Sequence, residues 1–189
     1  MNVLPHRLAE VAALLPLLHV KPGPTTVAVF GPLSPLMAAE VLKWRDTVAV
    51  LTLIELPTIK DRRVKIVEKL EPASCDAILL SPEHLPQAPI LATLKPGGVI
   101  QAITLEPDKA RAQATTMKSL MGSVTPWREY LPQPCWGVMA CLGGSCKRLR
   151  QPPAGAKRLS AQYLPCLFTF GKDELGLVFS SAPGTLTTA

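Results

Sequence analysis

A short turn between two apolar segments carries the first residues that could bind a ligand. Residues 27–56 read VAVFGPLSPLMAAEVLKWRDTVAVLTLIEL. The run Val27–Phe30 is typical of a buried parallel strand, Gly31 begins a turn that leads into a helix, and Glu55 lies near the end of a second apolar segment. This order predicts the opening of a sheet that binds a nucleotide or an adenosyl group. Gly31, Ser34 and Glu55 are therefore candidate ligand-binding residues.

The turn itself departs from the glycine-rich pattern of such sheets. Its sequence is Gly31-Pro32-Leu33-Ser34-Pro35. Pro32 and Pro35 have no N–H to donate, and Leu33 adds bulk where a ligand would need to approach the backbone. The pattern therefore favours the fold more strongly than the binding chemistry.

The composition is that of a single folded domain. The chain has 189 residues, of which 48% are hydrophobic, and this is enough for a sizeable core. No apolar run reaches the roughly 18 residues that a membrane span needs. Residues 8–20 are apolar but lack the basic start and the cleavage site of a signal peptide. A cytoplasmic protein without a membrane segment is expected.

The five cysteines do not form a recognisable framework. Their number is odd and no C-x-x-C occurs, so neither a zinc site nor a set of disulfides is supported. Cys141 and Cys146 flank a short LGGS turn, but we expect no bond between them. Buried, reduced thiols are expected.

The net charge of +6 is concentrated in one basic segment, residues 147–158. One interpretation is an anionic partner such as nucleic acid, and the other is a solvated loop. No aromatic residues are interleaved with the charges to stack on bases. The candidate contacts are Lys147, Arg148, Arg150, Lys157 and Arg158.

Helical and alternating apolar patterns divide the rest of the chain. The predicted helices are 5–18, Pro35–Trp44, Ile90–Leu94 and Pro107–Met121, with the glycines of LKPGG ending the third. The predicted strands are Val27–Phe30, Thr47–Leu56, Asp76–Leu80, Val99–Thr104, and an antiparallel pair, Trp127–Leu131 and Gly137–Leu142. The apolar cluster Tyr163–Phe170 is expected to pack on the body of the domain.

The segment 57–70 is compatible with either a helix or a turn followed by a strand at 64–68. We favour the strand. Because parallel neighbours need a crossover of about a dozen residues, a strand so soon after Leu56 is expected to run antiparallel, as a hairpin.

Four segments together resemble the spermidine synthases, the polyamine aminopropyltransferases. They are PLLHVKPGPTTVAVFG (16–31), EVLKW (40–44), LKPGGVIQAI (94–103) and AKRLSAQYLPCLFTF (156–170). The resemblance implies a Rossmann-like, methyltransferase-type sheet, mostly parallel with an antiparallel C-terminal hairpin and helices on both faces. It implies one α/β domain over residues 1–172, without the family's N-terminal β-hairpin domain, and a C-terminal tail over 173–189.

The resemblance also implies site residues, and several depart from the family. Glu55 matches the acidic residue that holds the ribose hydroxyls of the adenosyl donor, and Gly31 is what remains of the glycine loop. Ser81 stands where the family has the catalytic aspartate that deprotonates the attacking amine. A serine is no base near neutral pH, so Glu83 or His84 would have to take over this role. The implied cofactor, if the pocket survives, is decarboxylated S-adenosylmethionine or S-adenosylmethionine.

These departures favour a protein that has lost aminopropyltransferase catalysis and serves as a binding or structural subunit. Its partner would be another protein or further copies of the chain. Two alternatives stay open. One is an active transferase with a remodelled site, and the other is a basic adaptor that binds nucleic acid through the 147–158 segment.

Overall fold

The computed structural model describes most of the chain up to Leu142. The described residues are 9, 12, 13, 16, 17, 20, 23–44, 46–81, 84, 87–104, 106–121, 125–129 and 135–142. The segments 147–158 and Tyr163–Phe170, and the tail 173–189, lie outside these residues, so the predictions made for them stay predictions.

Within the described part of the chain, seven strands form one sheet. They are β1 (Thr25–Phe30), β2 (Val48–Thr52), β3 (Val64–Ile66), β4 (Cys75–Leu80), β5 (Leu94–Thr104), β6 (Thr125–Glu129) and β7 (Cys135–Cys141). Their order across the sheet is β3-β2-β1-β4-β5-β7-β6. The first five are parallel, and β7 runs antiparallel to both β5 and β6. The predicted sheet, mostly parallel with an antiparallel pair after it, is confirmed.

Helices cover both faces of this sheet. The described helices are α1 (Ser34–Trp44), α2 (Ala88–Leu91) and α3 (Pro107–Met121), and residues 9, 12, 13, 16 and 17 are also helical. On the α1 face, Val29 and Leu79 pack with Met37 and Val41 of α1. Ala9, Ala12, Ala13 and Leu17 belong to the same buried cluster. Alternation along the strands sends the other side chains to the opposite face.

On that opposite face, which we call the α3 face, Ile78 and Ile100 pack with Ala114 and Met117 of α3. Leu91 of α2 is buried in the same cluster. Each parallel strand in the centre is therefore apolar on both sides, as a sheet covered on both faces requires.

The hairpin expected after β2 is wrong, because β3 runs parallel to β2. Val50 is paired with Val64, and Thr52 with Ile66. The strand β2 ends at Thr52 rather than at Leu56, which leaves residues 53–63 for a crossover without a helix. Leu56 is buried and anchors this loop.

Hydrogen bonds between Asp61 and Arg63 stabilise the turn that ends this loop. The Arg63 guanidinium donates to both Asp61 carboxylate oxygens and to the carbonyl of Leu42, in the last turn of α1. Hydrogen bonds from the side chain and the backbone N–H of Arg63 lower the pKa of Asp61 from 3.8 to about 2. The crossover therefore begins at the end of β2 and is fastened to the end of α1.

The segment LKPGG lies in a strand rather than at the end of a helix. The helix α2 ends at Leu91, and β5 already begins at Leu94. The backbone is irregular there, with a register shift opposite Cys75 and a positive φ of 77° at Gly97. The prediction that these glycines end the helix is wrong, because the N–H of Gly97 donates to the carbonyl of Leu142, beside β7.

The cysteine prediction is confirmed for one residue and wrong for another. Cys75 is a free, buried thiol, and burial raises its pKa. Cys141 is disulfide-bonded, contrary to the expectation of reduced thiols, and the other sulfur lies outside the described side chains. None of the helices that the structure describes combines the length and apolar character needed to span a lipid bilayer.

Candidate functional site

The predicted site residues Gly31, Ser81 and His84 come together where β1 and β4 end. These strands are parallel neighbours with Phe30 paired to Leu80, so the turn that begins at Gly31 (the β1 turn) and the turn that begins at Ser81 (the β4 turn) meet at the carboxyl ends of the strands. The N–H of Ser81 donates to the carbonyl of Phe30 at 2.9 Å, which continues the strand pairing by one step. The sheet topology thus brings together residues fifty positions apart in sequence.

Gly31 packs directly against the two side chains of the β4 turn. Its φ is +89°, a conformation that residues with a Cβ rarely adopt. A Cβ at Gly31 would lie 2.7 Å from Ser81 Cβ and 2.8 Å from His84 Nδ1. The Cβ side of Gly31 is therefore filled by the protein's own side chains.

The backbone donors of the β1 turn are already used. The N–H of Leu33 donates to the Ser81 hydroxyl oxygen at 2.9 Å, and the N–H of Ser34 donates to the Gly31 carbonyl at 3.0 Å. Pro32 and Pro35 have no N–H. None of the four residues that follow Gly31 therefore offers a free backbone donor to a ligand.

The two polar residues of the β4 turn differ in burial. Ser81 is fully buried, whereas His84 is half-buried. The N–H of His84 donates to the Ser81 carbonyl at 3.2 Å, and its ring lies 6.4 Å from the ring of Phe30, tilted by 33°. Glu83 lies outside the described residues. Of the two side chains proposed to replace the family's base, the structure thus describes His84, which contacts the β1 turn.

Ser34 begins α1 and is completely buried. Its hydroxyl oxygen has no hydrogen-bond partner among the described groups. The side chain is enclosed beneath the β1 turn and is not exposed at the surface.

Glu55 lies beyond the end of its strand. Thr52 ends β2 in a local turn, because its hydroxyl group both donates to the carbonyl and accepts from the N–H of Ile54. Glu55 follows in the crossover loop and is exposed. The predicted acidic residue is thus on the side of the sheet where β2 ends, but not within the strand.

Buried carboxylates are scarce among the described residues. In the described part of the chain Glu40 is the one buried carboxylate, and it pairs with Lys43 inside α1 at 2.6 Å. Asp76 lies near the start of β4, at the end of the strands away from the β1 and β4 turns. Its carboxylate accepts from Lys95 at 2.9 Å and from the N–H of Thr26 at 2.8 Å. The described residues therefore do not form an acidic cleft for a dicationic amine.

These observations decide whether an adenosyl donor fits at the described residues. The glycine is covered by Ser81 and His84, the donors of the β1 turn are absent or used, and the ribose candidate Glu55 is exposed in a loop. The described residues in this conformation do not fit the group. The sequence predicted the missing N–H groups from the prolines, but not the bond from Leu33 to Ser81, which joins two turns that are distant in sequence.

Comparisons with known proteins give the fold. No family model and no curated protein matches the sequence. Among solved structures, the spermidine synthase of Thermotoga maritima is 17% identical with a TM-score of 0.64, over 82% of this chain and 65% of that chain. A spermidine synthase in complex with the transition-state analogue AdoDATO is 16% identical with a TM-score of 0.60, over 82% and 67%.

A methyltransferase is also similar. A predicted O-methyltransferase from Agrobacterium tumefaciens is 14% identical with a TM-score of 0.53, over 70% of this chain and 81% of that chain. This chain spans just under two thirds of the length of the Thermotoga maritima spermidine synthase. At these identities the likeness establishes the architecture: this chain has the Rossmann-like fold that spermidine synthases share with methyltransferases.

Proposed function

We propose that this protein has the aminopropyltransferase-type fold without its catalysis, and that it acts as a binding subunit for another protein. The observation that carries the proposal is the closure of the β1 turn. Ser81 accepts the Leu33 N–H and, with His84, covers Gly31. The same contacts that stabilise this edge of the sheet occupy the place a ligand would use.

The loss of a base supports the same conclusion. Attack by an amine requires removal of a proton, and a serine hydroxyl does not accept one near neutral pH. Ser81 is also fully buried and engaged with the backbone of another turn. A residue in this position serves to join β1 and β4.

The test is an assay of turnover and of binding. The purified chain is incubated with decarboxylated S-adenosylmethionine and putrescine, and spermidine and methylthioadenosine are quantified by mass spectrometry, with the Thermotoga maritima enzyme as positive control. We expect no product. Calorimetric titration with each adenosyl compound is expected to show no heat of binding at millimolar ligand. Product above that of a protein-free control would overturn the proposal.

One observation favours a second candidate, an active transferase with a remodelled site. The imidazole of His84, a common general base, lies against Gly31. In the same assay this candidate predicts turnover that His84→Ala abolishes. Turnover that the substitution leaves unchanged would contradict the role of His84.

The nucleic-acid alternative depends on residues 147–158, which the structure does not describe. It stays a prediction, and its signature would be binding that weakens steeply with salt.

A further inference from the structure

Among the described residues, the outer edge of the sheet at β3 presents backbone groups with no neighbouring strand. Val50 donates to the carbonyl of Arg63, and Val67 donates to the carbonyl of Thr52. Residues 63, 65 and 67 therefore face β2, and strand alternation directs the backbone groups of Val64 and Ile66 outward. The N–H of Val64 donates to the carbonyl of Asp61, and the carbonyl of Val64 and both backbone groups of Ile66 have no partner among the described residues.

Exposed apolar side chains lie at the end of this edge. Ile66 is 58% exposed, Leu53 45% and Ile54 51%. They are three of the four exposed large hydrophobic residues in the described part of the chain. Leu53 and Ile54 directly follow Thr52, the register partner of Ile66, so the three side chains lie at the same end of β2 and β3. We call β3 together with Leu53 and Ile54 the β3 edge.

Lys65, the charged residue of β3 itself, is a cation. Lys60, Arg62 and Lys65 are exposed and make no ion pair with another described residue. The carboxylate of Asp61 is held by Arg63 at 2.7 Å, and that of Glu71 lies 3.4 Å from Lys69. Arg62 also interacts with the charge of Asp61, and the exposed carboxylates of Glu55 and Glu68 lie in the same segment, so the cation that an acidic group on a partner strand would meet is Lys65.

The alternation of β3 defines what such a partner must look like. Val64 packs in the cluster of the α1 face, so Ile66 is on that face as well and Lys65 is on the opposite one. A strand that pairs with β3 would place an acidic residue beside Lys65 and an apolar residue beside Ile66. We propose that the β3 edge binds an extended segment of another protein in which acidic and apolar residues alternate, as an additional strand of the sheet.

A second copy of the chain fits this edge less well. Two β3 strands related by a twofold axis at Lys65 would pair Val64 with Ile66 but would set one Lys65 against the other. Like charges directly opposite each other destabilise a strand pair, and lysine on an edge strand is a known device against self-association. The same lysine that opposes self-pairing attracts an acidic strand.

This inference rests on the proposed binding role and names its surface, but its test is separate from the turnover assay. The probe is a fluorescein-labelled hexapeptide, Glu-Val-Glu-Val-Glu-Val. Its two controls are the same peptide with Lys in place of Glu, and the Glu peptide with alternate backbone nitrogens methylated. Binding to the full chain is measured by fluorescence anisotropy, and hydrogen exchange reports on the Ile66 amide.

We expect the Glu peptide to bind more tightly than either control, with an affinity that falls as salt rises. The Ile66 amide should exchange more slowly in the complex because it gains an acceptor. Lys65→Glu should weaken the binding of the Glu peptide by at least about fivefold and strengthen the binding of the Lys peptide, since an attractive cross-strand pair becomes repulsive. Lys118→Glu, an exposed lysine on α3, is the matched control and should leave the affinity unchanged.

Equal binding of the methylated peptide, an unchanged Ile66 amide, or no binding at millimolar peptide would overturn the inference. So would a dimer in sedimentation that protects Ile66 without peptide, because a second copy would then occupy the edge. No peptide binding together with no turnover would overturn this inference alone. Peptide binding together with turnover would support it and overturn the loss of catalysis.

Discussion

The hydroxyl oxygen of Ser81 lies 2.9 Å from the backbone nitrogen of Leu33 and accepts its hydrogen bond. This bond joins the turn after β4 to the turn after β1. In a sheet of this architecture these two turns border the place where ligands bind. Here they bind each other, so Ser81 has a structural role that can be measured.

Ser81→Ala should lower the free energy of unfolding by about 1–3 kcal/mol, because it removes the acceptor and leaves the Leu33 N–H without a partner. Chemical denaturation measures the change. The control is Ser119→Ala on α3, whose exposed hydroxyl donates to the carbonyl of Thr116 and whose loss should cost about 0.5 kcal/mol or less. Equal effects of the two substitutions would show that the Ser81 bond does not stabilise this edge.

Gly31→Ala should destabilise the fold more than Gly97→Ala. Both glycines have a positive φ, so each substitution introduces about 1–2 kcal/mol of backbone strain. A Cβ at Gly97 meets nothing within 4 Å, whereas one at Gly31 meets Ser81 and His84. Overpacking should add about 1–3 kcal/mol at Gly31.

Chemical denaturation of Gly31→Ala and Gly97→Ala gives the loss of stability in each variant. The difference between the two losses measures the contact with Ser81 and His84, because the backbone strain is common to both. If both variants lose the same stability, the β1 and β4 turns are not packed together in solution, and the space above Gly31 is open to a ligand.

Gln101→Met should raise the free energy of unfolding by about 1–3 kcal/mol. Gln101 is fully buried between the register positions of Leu79 and Met139, and neither end of its amide has a hydrogen-bond partner among the described groups. Methionine has a similar unbranched shape and no polar group to desolvate. Gln87→Met, at an exposed position, is the control and should change stability little. A loss of stability in Gln101→Met would mean that the amide has a bound partner in solution.

Acid should weaken the fold through Asp61. Its pKa is about 2 in the folded chain against an ordinary 3.8, because Arg63 hydrogen-bonds to the charged form. Folding therefore favours the ionised carboxylate, and this stabilisation is complete above about pH 4 and is lost as the pH falls through about 2. The thermal midpoint should fall over this interval, and less steeply in Asp61→Asn. An identical pH profile for the variant would exclude this pair as a source of acid sensitivity.

Local patterns were sufficient to predict most of the elements. The buried strands β1 and β4 follow from short apolar runs, and the helices α1 and α3 from apolar residues at helical spacing, with boundaries within about two residues. The likeness to spermidine synthases, first visible in four short segments, is confirmed at the level of the fold. Pro32 and Pro35 also showed without a structure that two positions of the β1 turn have no backbone donor, because proline has no N–H in any fold.

Long-range pairing decided the rest. The direction of β3 depends on the true end of β2 and on the bond from Arg63 to the end of α1, neither of which leaves a local pattern. The LKPGG segment belongs to β5, and the N–H of Gly97 finds its acceptor in Leu142, directly after β7. The closure of the β1 turn depends on Leu33 and Ser81, which are 48 positions apart. The sequence by itself determined which segments are strands and helices, through periodicity and the missing N–H of proline. Only the tertiary structure decided that the two turns hydrogen-bond to each other and that β3 has a single neighbouring strand among the described residues, because both depend on which strands become neighbours.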